Sequence, residues 1–409
     1  MKIIYVTQIV PYPPHGGVLQ RGYNLLRELG REHRVRLLAF HHPDELPAGE
    51  AVDASRRELR AFCTDVEYFD LWPKRSRLHT AAALAAGVAY PKPFSVLAQR
   101  NARLHDRLRE LCQDGDRPDV VHLDTIALAP YAGDCAGVPC VLAHHNVESQ
   151  LMQRRGEHEH GLAARTYVGL QARRLERYEA ETCSRFPVNV MVSDADARTL
   201  AGLSPGVRTA VVPNGVDTSY FRPRDDQQTA TVIFTGGMNM FANRDAVEWF
   251  LDEVWPMVRR QVPDARFVAI GQRPSAKILA AAAADGSVQA PGHVPDVRPW
   301  VGPAAVYVVP MRVGGGTRLK VLDAMAQGKA LVATSLGAEG IEAEDGRQLV
   351  LADTAADFAG RVVELLRDPA RRQALGAAAR QRVEERYAWP VIARRLVAAY
   401  MTAIEASRK

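Results

Sequence analysis

Two stretches of the chain repeat one hydrophobic pattern. Each has a short apolar run, a glycine-bearing break, and then apolar residues at helical spacing. The first opens the chain: Ile3–Thr7 is a continuous apolar run of buried-strand type, in an opening strand read over Lys2–Val10. Pro11, Pro13, Pro14, Gly16 and Gly17 interrupt it. Leu19–Leu29 then has helical spacing, and Arg34–Phe40 is the next strand. Further strands are predicted at Val120–Leu123, Pro139–Ala143 and Val188–Ser193. A charged helix is predicted over Gly161–Arg185, with Leu170, Leu175 and Tyr178 inward.

Val211–Val216 contains a Pro-Asn-Gly break, and a polar loop follows at Asp225–Gln228. The pattern then restarts with strand Thr231–Phe234, Gly236-Gly237, helix Asp245–Arg260 and strand Arg266–Ile270. Strand Ala305–Pro310 runs into Gly314-Gly315-Gly316, followed by helix Lys320–Gln327 and strand Ala330–Thr334. Strands alternating with helices imply parallel sheets, whose ligands lie beyond the carboxyl ends of the strands. A last helix over Trp389–Ser407 carries an apolar stripe of Ile392, Leu396, Val397, Tyr400, Met401 and Ile404.

A length of 409 residues suits two α/β domains. Charged residues of both signs alternate, so the net charge of +5 leaves no block that would mark a nucleic-acid footprint. Five cysteines without ligand spacing read as small core residues of a reducing, cytoplasmic compartment. No segment has the length of a membrane span, and the amino end lacks the pattern of a signal peptide. The apolar run Ala81–Ala89 predicts a short buried helix. The alternative is a surface helix touching a membrane or a lipid-like acceptor.

The strongest candidate site is Gly314–Lys320. Glycines let a backbone approach a ligand closely, and the N–H groups at the start of a helix favour an anion. Thr317 adds a donor, and Arg318 and Lys320 add positive charge. A diphosphate needs this concentration of donors. Asp323, about one turn into the helix, can accept hydrogen bonds from a ribose diol. No Walker-type loop is present, and neither half has a complete dinucleotide fingerprint, which disfavours an ATPase and a dehydrogenase. Gly16 and Gly17 form a weaker glycine turn. His145, in His144-His145-Asn146, stands at the carboxyl end of a strand, where ligands bind.

Several segments resemble glycosyltransferase family 4, the retaining nucleotide-sugar transferases of GT-B fold. They include Pro13-Pro14-His15-Gly16-Gly17, His145-Asn146-Val147-Glu148-Ser149, Val212-Pro213-Asn214-Gly215-Val216-Asp217, Phe234-Thr235-Gly236-Gly237-Met238, Gly292-His293-Val294-Pro295-Asp296 and Gly314–Gly328. The similarity runs nearly end to end and is greatest with the branch associated with bacterial exopolysaccharide synthesis. It implies an α/β GT-B fold: two Rossmann-like domains facing a cleft, with the C-terminal helix crossing back to the N-terminal domain. The implied boundaries are 1–212 with 388–409 for the acceptor domain and 213–387 for the donor domain.

The resemblance also implies roles. Gly16 and Gly17 approach donor phosphate and acceptor, and His145 touches the transferred sugar. Arg318 and Lys320 hold the diphosphate, assisted by Gly314, Gly315, Gly316, Thr317 and the Gly236-Gly237 turn. Val294 offers its backbone to the base. The family often carries two glutamates eight residues apart here. In this chain Asp323 replaces the second and Gly315 stands at the first. The lysine usual after Gly236 is replaced by Met238-Asn239-Met240-Phe241.

The activity expected is transfer of a hexose-type sugar from a UDP- or GDP-sugar to a glycan or lipid-linked acceptor. The nucleotide-sugar is a co-substrate, with no cofactor, no metal and no nucleic-acid partner, and with peripheral contact to the inner membrane left open. A nucleotide-sugar epimerase and a non-catalytic nucleotide-sugar-binding protein are the rival readings.

Overall fold

The computed structural model describes the chain apart from His15, Arg75, residues 158–160, Asp225, Gln227, residues 315–317 and Lys409. It divides into two compact units, residues 1–213 with 392–409, and residues 214–391.

The first unit is built on seven strands: β1 (Lys2–Thr7), β2 (Arg34–His41), β3 (Asp65–Asp70), β4 (Val120–Leu123), β5 (Cys140–Ala143), β6 (Val188–Met191) and β7 (Thr209–Val211). They are parallel, in the order β3-β2-β1-β4-β5-β6-β7. The second unit has β8 (Thr229–Thr235), β9 (Arg266–Ile270), β10 (Val288–Gly292), β11 (Ala304–Val309), β12 (Ala330–Ala333) and β13 (Val350–Leu351). These are also parallel, in the order β10-β9-β8-β11-β12-β13. Both sheets are thus Rossmann-like. The direction of strand order reverses between β1 and β4 in one and between β8 and β11 in the other. In such sheets that reversal opens a crevice beyond the carboxyl ends.

The central strands are the apolar runs of the sequence. Val120–Leu123, Cys140–Ala143 and Ala304–Val309 are buried throughout, since helices cover both faces of a parallel sheet. Four strands were not expected from the pattern: β3, β7, β10 and β13. Each is an edge strand. β3 carries Asp65, Glu67 and Asp70, β10 contains Pro291, and β13 is two residues long. One-sided exposure removes the need for a continuous apolar run.

The helix read as Asp245–Arg260 is longer and interrupted. It runs as Phe241–Trp249, a π-turn at Phe250–Val254, and Trp255–Gln261. Pro256 has no N–H for the regular helical bond, so the backbone widens just before it. Phe250, buried there, packs on Phe267 with centroids 4.6 Å apart. The last helix, Trp389–Ala406, buries Ile392, Ala393, Leu396, Ala399, Tyr400 and Ala403. Met401, placed on the inner stripe by the sequence, is 44% exposed instead.

The apolar run at Ala81–Ala89 corrects the expectation of a buried helix. It lies in the helix Arg77–Ala89, where Leu78 is 82%, Leu84 45% and Val88 55% exposed, while Ala83 is buried.

At the carboxyl end of the second sheet, the β8 and β9 backbones approach closely. A Cβ at Gly271 would sit 1.9 Å from the Gly236 carbonyl oxygen. Gly271→Ala therefore forces the two loops apart. It is expected to lower unfolding stability by about 1–3 kcal/mol in denaturant titration. A loss below the resolution of the titration would show that the loops separate freely.

Candidate functional site

In the second unit the residues above the β8–β11 reversal come from three segments. β8 ends at Thr235 and turns through Gly236 and Gly237 into the helix Phe241–Trp249. β11 ends at Val309 and leads to Gly314, which has φ 108°, in the left-handed region that suits glycine. The helix Leu319–Ala326 follows, with Arg318 at its cap position. Gly315, Gly316 and Thr317 lie outside the described residues.

Lys320 and Asp323 are three residues apart and share a face of this helix. The Lys320 ammonium donates to Asn243 Oδ1 at 2.5 Å and lies 4.3 Å from the Phe234 ring centroid. Asn243 in turn donates from Nδ2 to the Gly237 carbonyl, 2.8 Å away, so one side chain ties the lysine to the glycine turn. A Cβ at Gly236 would come within 2.6 Å of Lys320 Nζ, so the absence of a side chain there makes room for the cation. The Arg318 guanidinium folds against the next turn: a Cβ at Gly314 would lie 3.2 Å from its Nη2.

Below them, Tyr307 on β11 shares a short hydroxyl–hydroxyl hydrogen bond with Thr235. Arg312 is held by Asp245 at 2.7 Å. The turn Met238–Phe241, which lacks the expected lysine, is anchored by the buried Met238, whose N–H donates to the Gln272 carbonyl.

These surroundings alter the charges. Burial, reinforced by the nearby Arg318 charge and opposed by Asp323, pulls Lys320 down to about 7. Burial, opposed by Lys320, pushes Asp323 up to about 7. Lys320 is thereby easier to discharge than an exposed lysine. A ligand anion beside it favours the ammonium form. Val294 follows β10, partly buried on the core of this unit. It is two residues past Gly292, whose carbonyl accepts from Gly271 N–H, so it belongs to the same end of the sheet.

In the first unit Gly16 and Gly17 open the helix Gly17–Leu29 after β1, with Gly16 at φ 90° and open space where a side chain would be. The two adjacent histidines separate in role. His144 is buried, with Nε2 3.1 Å from Asn189 Oδ1, and burial lowers it to about 4, so it is a neutral core residue. His145 is partly exposed, and its Nε2 lies 3.2 Å from Asp124 Oδ2, just past the end of β4. Burial opposes the charge on Asp124, but His145 and His122 together outweigh it and hold the carboxyl below the ordinary range.

Glu148 opens the helix Glu148–Glu157, accepts from the Thr125 hydroxyl, and is shifted upward by burial. Its N–H donates to Glu179, which burial raises to about 7. Asn243, Asp124 and Glu148 were not singled out from sequence as site residues. Only Glu148 carries a local signal, an acidic residue at the start of a helix just after His145. A cavity of about 490 Å³ lined by Lys92, Tyr178 and Arg185 includes Pro139 and Pro187, which precede β5 and β6. It therefore lies at the amino ends of the strands, opposite His145.

Two parallel sheets, each with residues suited to an anion or a polar ligand above its reversal point, define a two-unit Rossmann-like α/β protein. The comparisons make that class specific. Residues 15–220 match the model described as Glycosyltransferase Family 4, and residues 229–368 match Glycosyl transferases group 1. The chain belongs to glycosyltransferase family 4 and is a glycosyltransferase of GT-B fold.

It is 26% identical over 339 residues to the phosphatidyl-myo-inositol mannosyltransferase of Mycolicibacterium smegmatis, covering 78% of this chain and 81% of that protein. An uncharacterized 44.6 kDa protein in the cps region of Klebsiella pneumoniae is 30% identical over 146 residues, 34% of this chain and 37% of that protein. The match to the Klebsiella protein thus spans little more than a third of its length. Among solved structures, Anabaena HepE in complex with UDP superposes with a TM-score of 0.65 at 13% identity, covering 97% of this chain and 99% of that one.

Asn243→Leu removes the anchor of Lys320 without shortening the helix. Binding of inorganic pyrophosphate, followed by calorimetry, is expected to weaken roughly tenfold, the loss of one hydrogen bond to a charged group. Unchanged binding would remove Lys320 from the anion site.

Proposed function

We propose that the chain is a retaining, metal-independent hexosyltransferase. It would use a UDP- or GDP-sugar and a glycan or lipid-linked acceptor, in bacterial polysaccharide biosynthesis. The observation that carries the reading is the desolvated Lys320, tied to the Gly236-Gly237 turn and adjoined by Arg318 at the start of a helix. Such a cation is suited to a diphosphate.

In the reaction proposed, the bond from the sugar C1 to the diphosphate oxygen breaks and its electron pair goes to that oxygen. Arg318, protonated Lys320 and the helix N-terminus stabilise the charge that develops there, as in an oxyanion hole. The acceptor hydroxyl attacks on the same face of the sugar and gives its proton to the departing phosphate. No glycosidase-type carboxylate pair is required. Asp323 receives the ribose diol, Val294 the base, and His145 contacts the transferred sugar.

HepE solved with UDP supports the nucleotide, and the mannosyltransferase relative supports a hexose. No described helix is long and apolar enough to cross a membrane. The exposed leucine and valine side chains of Arg77–Ala89 support a cytoplasmic enzyme that rests peripherally on a membrane.

Lys320→Ala and Arg318→Ala are each expected to lower kcat/KM for the nucleotide-sugar by roughly 10²–10³. Near-wild-type turnover by both would overturn the phosphate assignment. For the membrane contact, Leu84→Asp with Val88→Asp is expected to abolish co-sedimentation with anionic phospholipid vesicles while leaving turnover of a soluble acceptor intact. Retained sedimentation would rule this helix out as the contact.

A further inference from the structure

His145 is one end of a line of polar side chains through the interior of the first unit. Its Nε2 is 3.2 Å from Asp124 Oδ2. Asp124 is 2% exposed, and its own N–H donates to the Val6 carbonyl at 3.0 Å, which fixes it between β1 and β4. On its far side, Oδ1 faces His122 Nε2 at 3.6 Å, a polar contact longer than a hydrogen bond. The His122 ring is clamped: Tyr5, its register partner on β1, stacks on it at 4.0 Å and 19°. The Tyr400 hydroxyl, from the last helix, lies 3.0 Å from His122 Nδ1.

Two histidines on one carboxylate would be an odd core if packing were all that was needed. A buried carboxylate is costly unless its partners compensate it, and apolar residues of similar volume serve packing alone at least as well. The arrangement instead has a direction. Burial disfavours the charged form of the His122 ring. A neutral ring whose Nδ1 accepts from the Tyr400 hydroxyl carries its proton on Nε2, facing Asp124. The other oxygen of Asp124 then accepts a hydrogen bond from His145 Nε2–H, which leaves His145 Nδ1 as the nitrogen offered to a ligand. A carboxylate behind a histidine sets tautomer and ring orientation in this way elsewhere.

We propose that Asp124, backed by His122 and Tyr400, is a positioning residue that fixes the tautomer and orientation of His145 for sugar transfer. The last helix thereby takes part in the reaction through Tyr400. The proposal rests on the reading of His145 as the group that touches the sugar.

The test uses the full-length chain labelled with ¹⁵N-histidine, the His145 signals being identified by their loss in His145→Asn. Wild type is expected to show the Nε2–H tautomer of neutral His145, and Asp124→Asn to shift it toward Nδ1–H. Asp124→Asn is also expected to lower kcat by roughly 10- to 100-fold with KM for the nucleotide-sugar within about threefold, because the diphosphate is held elsewhere. Tyr400→Phe should lower kcat by a few-fold in the same pattern. An Nδ1–H tautomer in wild type overturns the proposal even if Asp124→Asn fails to fold, and so does an unchanged tautomer in a folded Asp124→Asn. A shifted tautomer with unchanged kcat instead overturns the role given to His145 in the reaction, and the proposal with it.

Discussion

A cation held where water is scarce is the constraint on which the candidate site depends. Lys320 needs room, and Gly236 provides it by having no side chain. It needs a partner, and Asn243 provides one that is neutral. A carboxylate in direct contact would satisfy the charge permanently and leave little for a ligand. Asp323 lies on the same helix face, but burial disfavours its ionised form as well. Burial thus leaves Lys320 and Asp323 with less charge than their names suggest, and an anion beside Lys320 restores its positive form. The Gly271 backbone, packed against Gly236, forms one wall near this point.

The duplicated strand order explains why both units present their candidate site residues at the same end. In each sheet the first strand and its fourth-strand neighbour are buried on both faces, so only the loops beyond them are free to vary. Fold and family were legible because these central strands are continuous apolar runs, and because Val308–Gly328 reads as strand, glycine turn and helix. The edge strands were not legible, since an edge tolerates Asp65, Glu67 and Pro291 where a central strand does not. Nor was the exposure of Arg77–Ala89, because an apolar run on a helix reads the same whether it faces a core or a surface.

The site was legible only where it is local. Lys320 falls within one helical turn of both Arg318 and Asp323, so spacing alone brings them together. The tie from Lys320 to Asn243 spans 77 residues, and the contact of His145 with Asp124 spans 21. Nothing in either segment announces its partner. Strand position alone does not separate the two histidines, and only the family resemblance picks out His145. The sheet makes one a neutral core residue bonded to Asn189 and turns the other toward Asp124.

The central claim is that the diphosphate charges Lys320. Calorimetry of UDP binding at about pH 8, in buffers of different ionisation enthalpy, counts the protons taken up. Lys320 is largely neutral there when free, since burial holds it to about 7, and a neighbouring anion raises it. The account predicts uptake approaching about one proton per UDP in wild type and none in Lys320→Met, with wild-type affinity falling as pH rises through this range. Tight wild-type binding with no uptake, or uptake that persists in Lys320→Met, would contradict it.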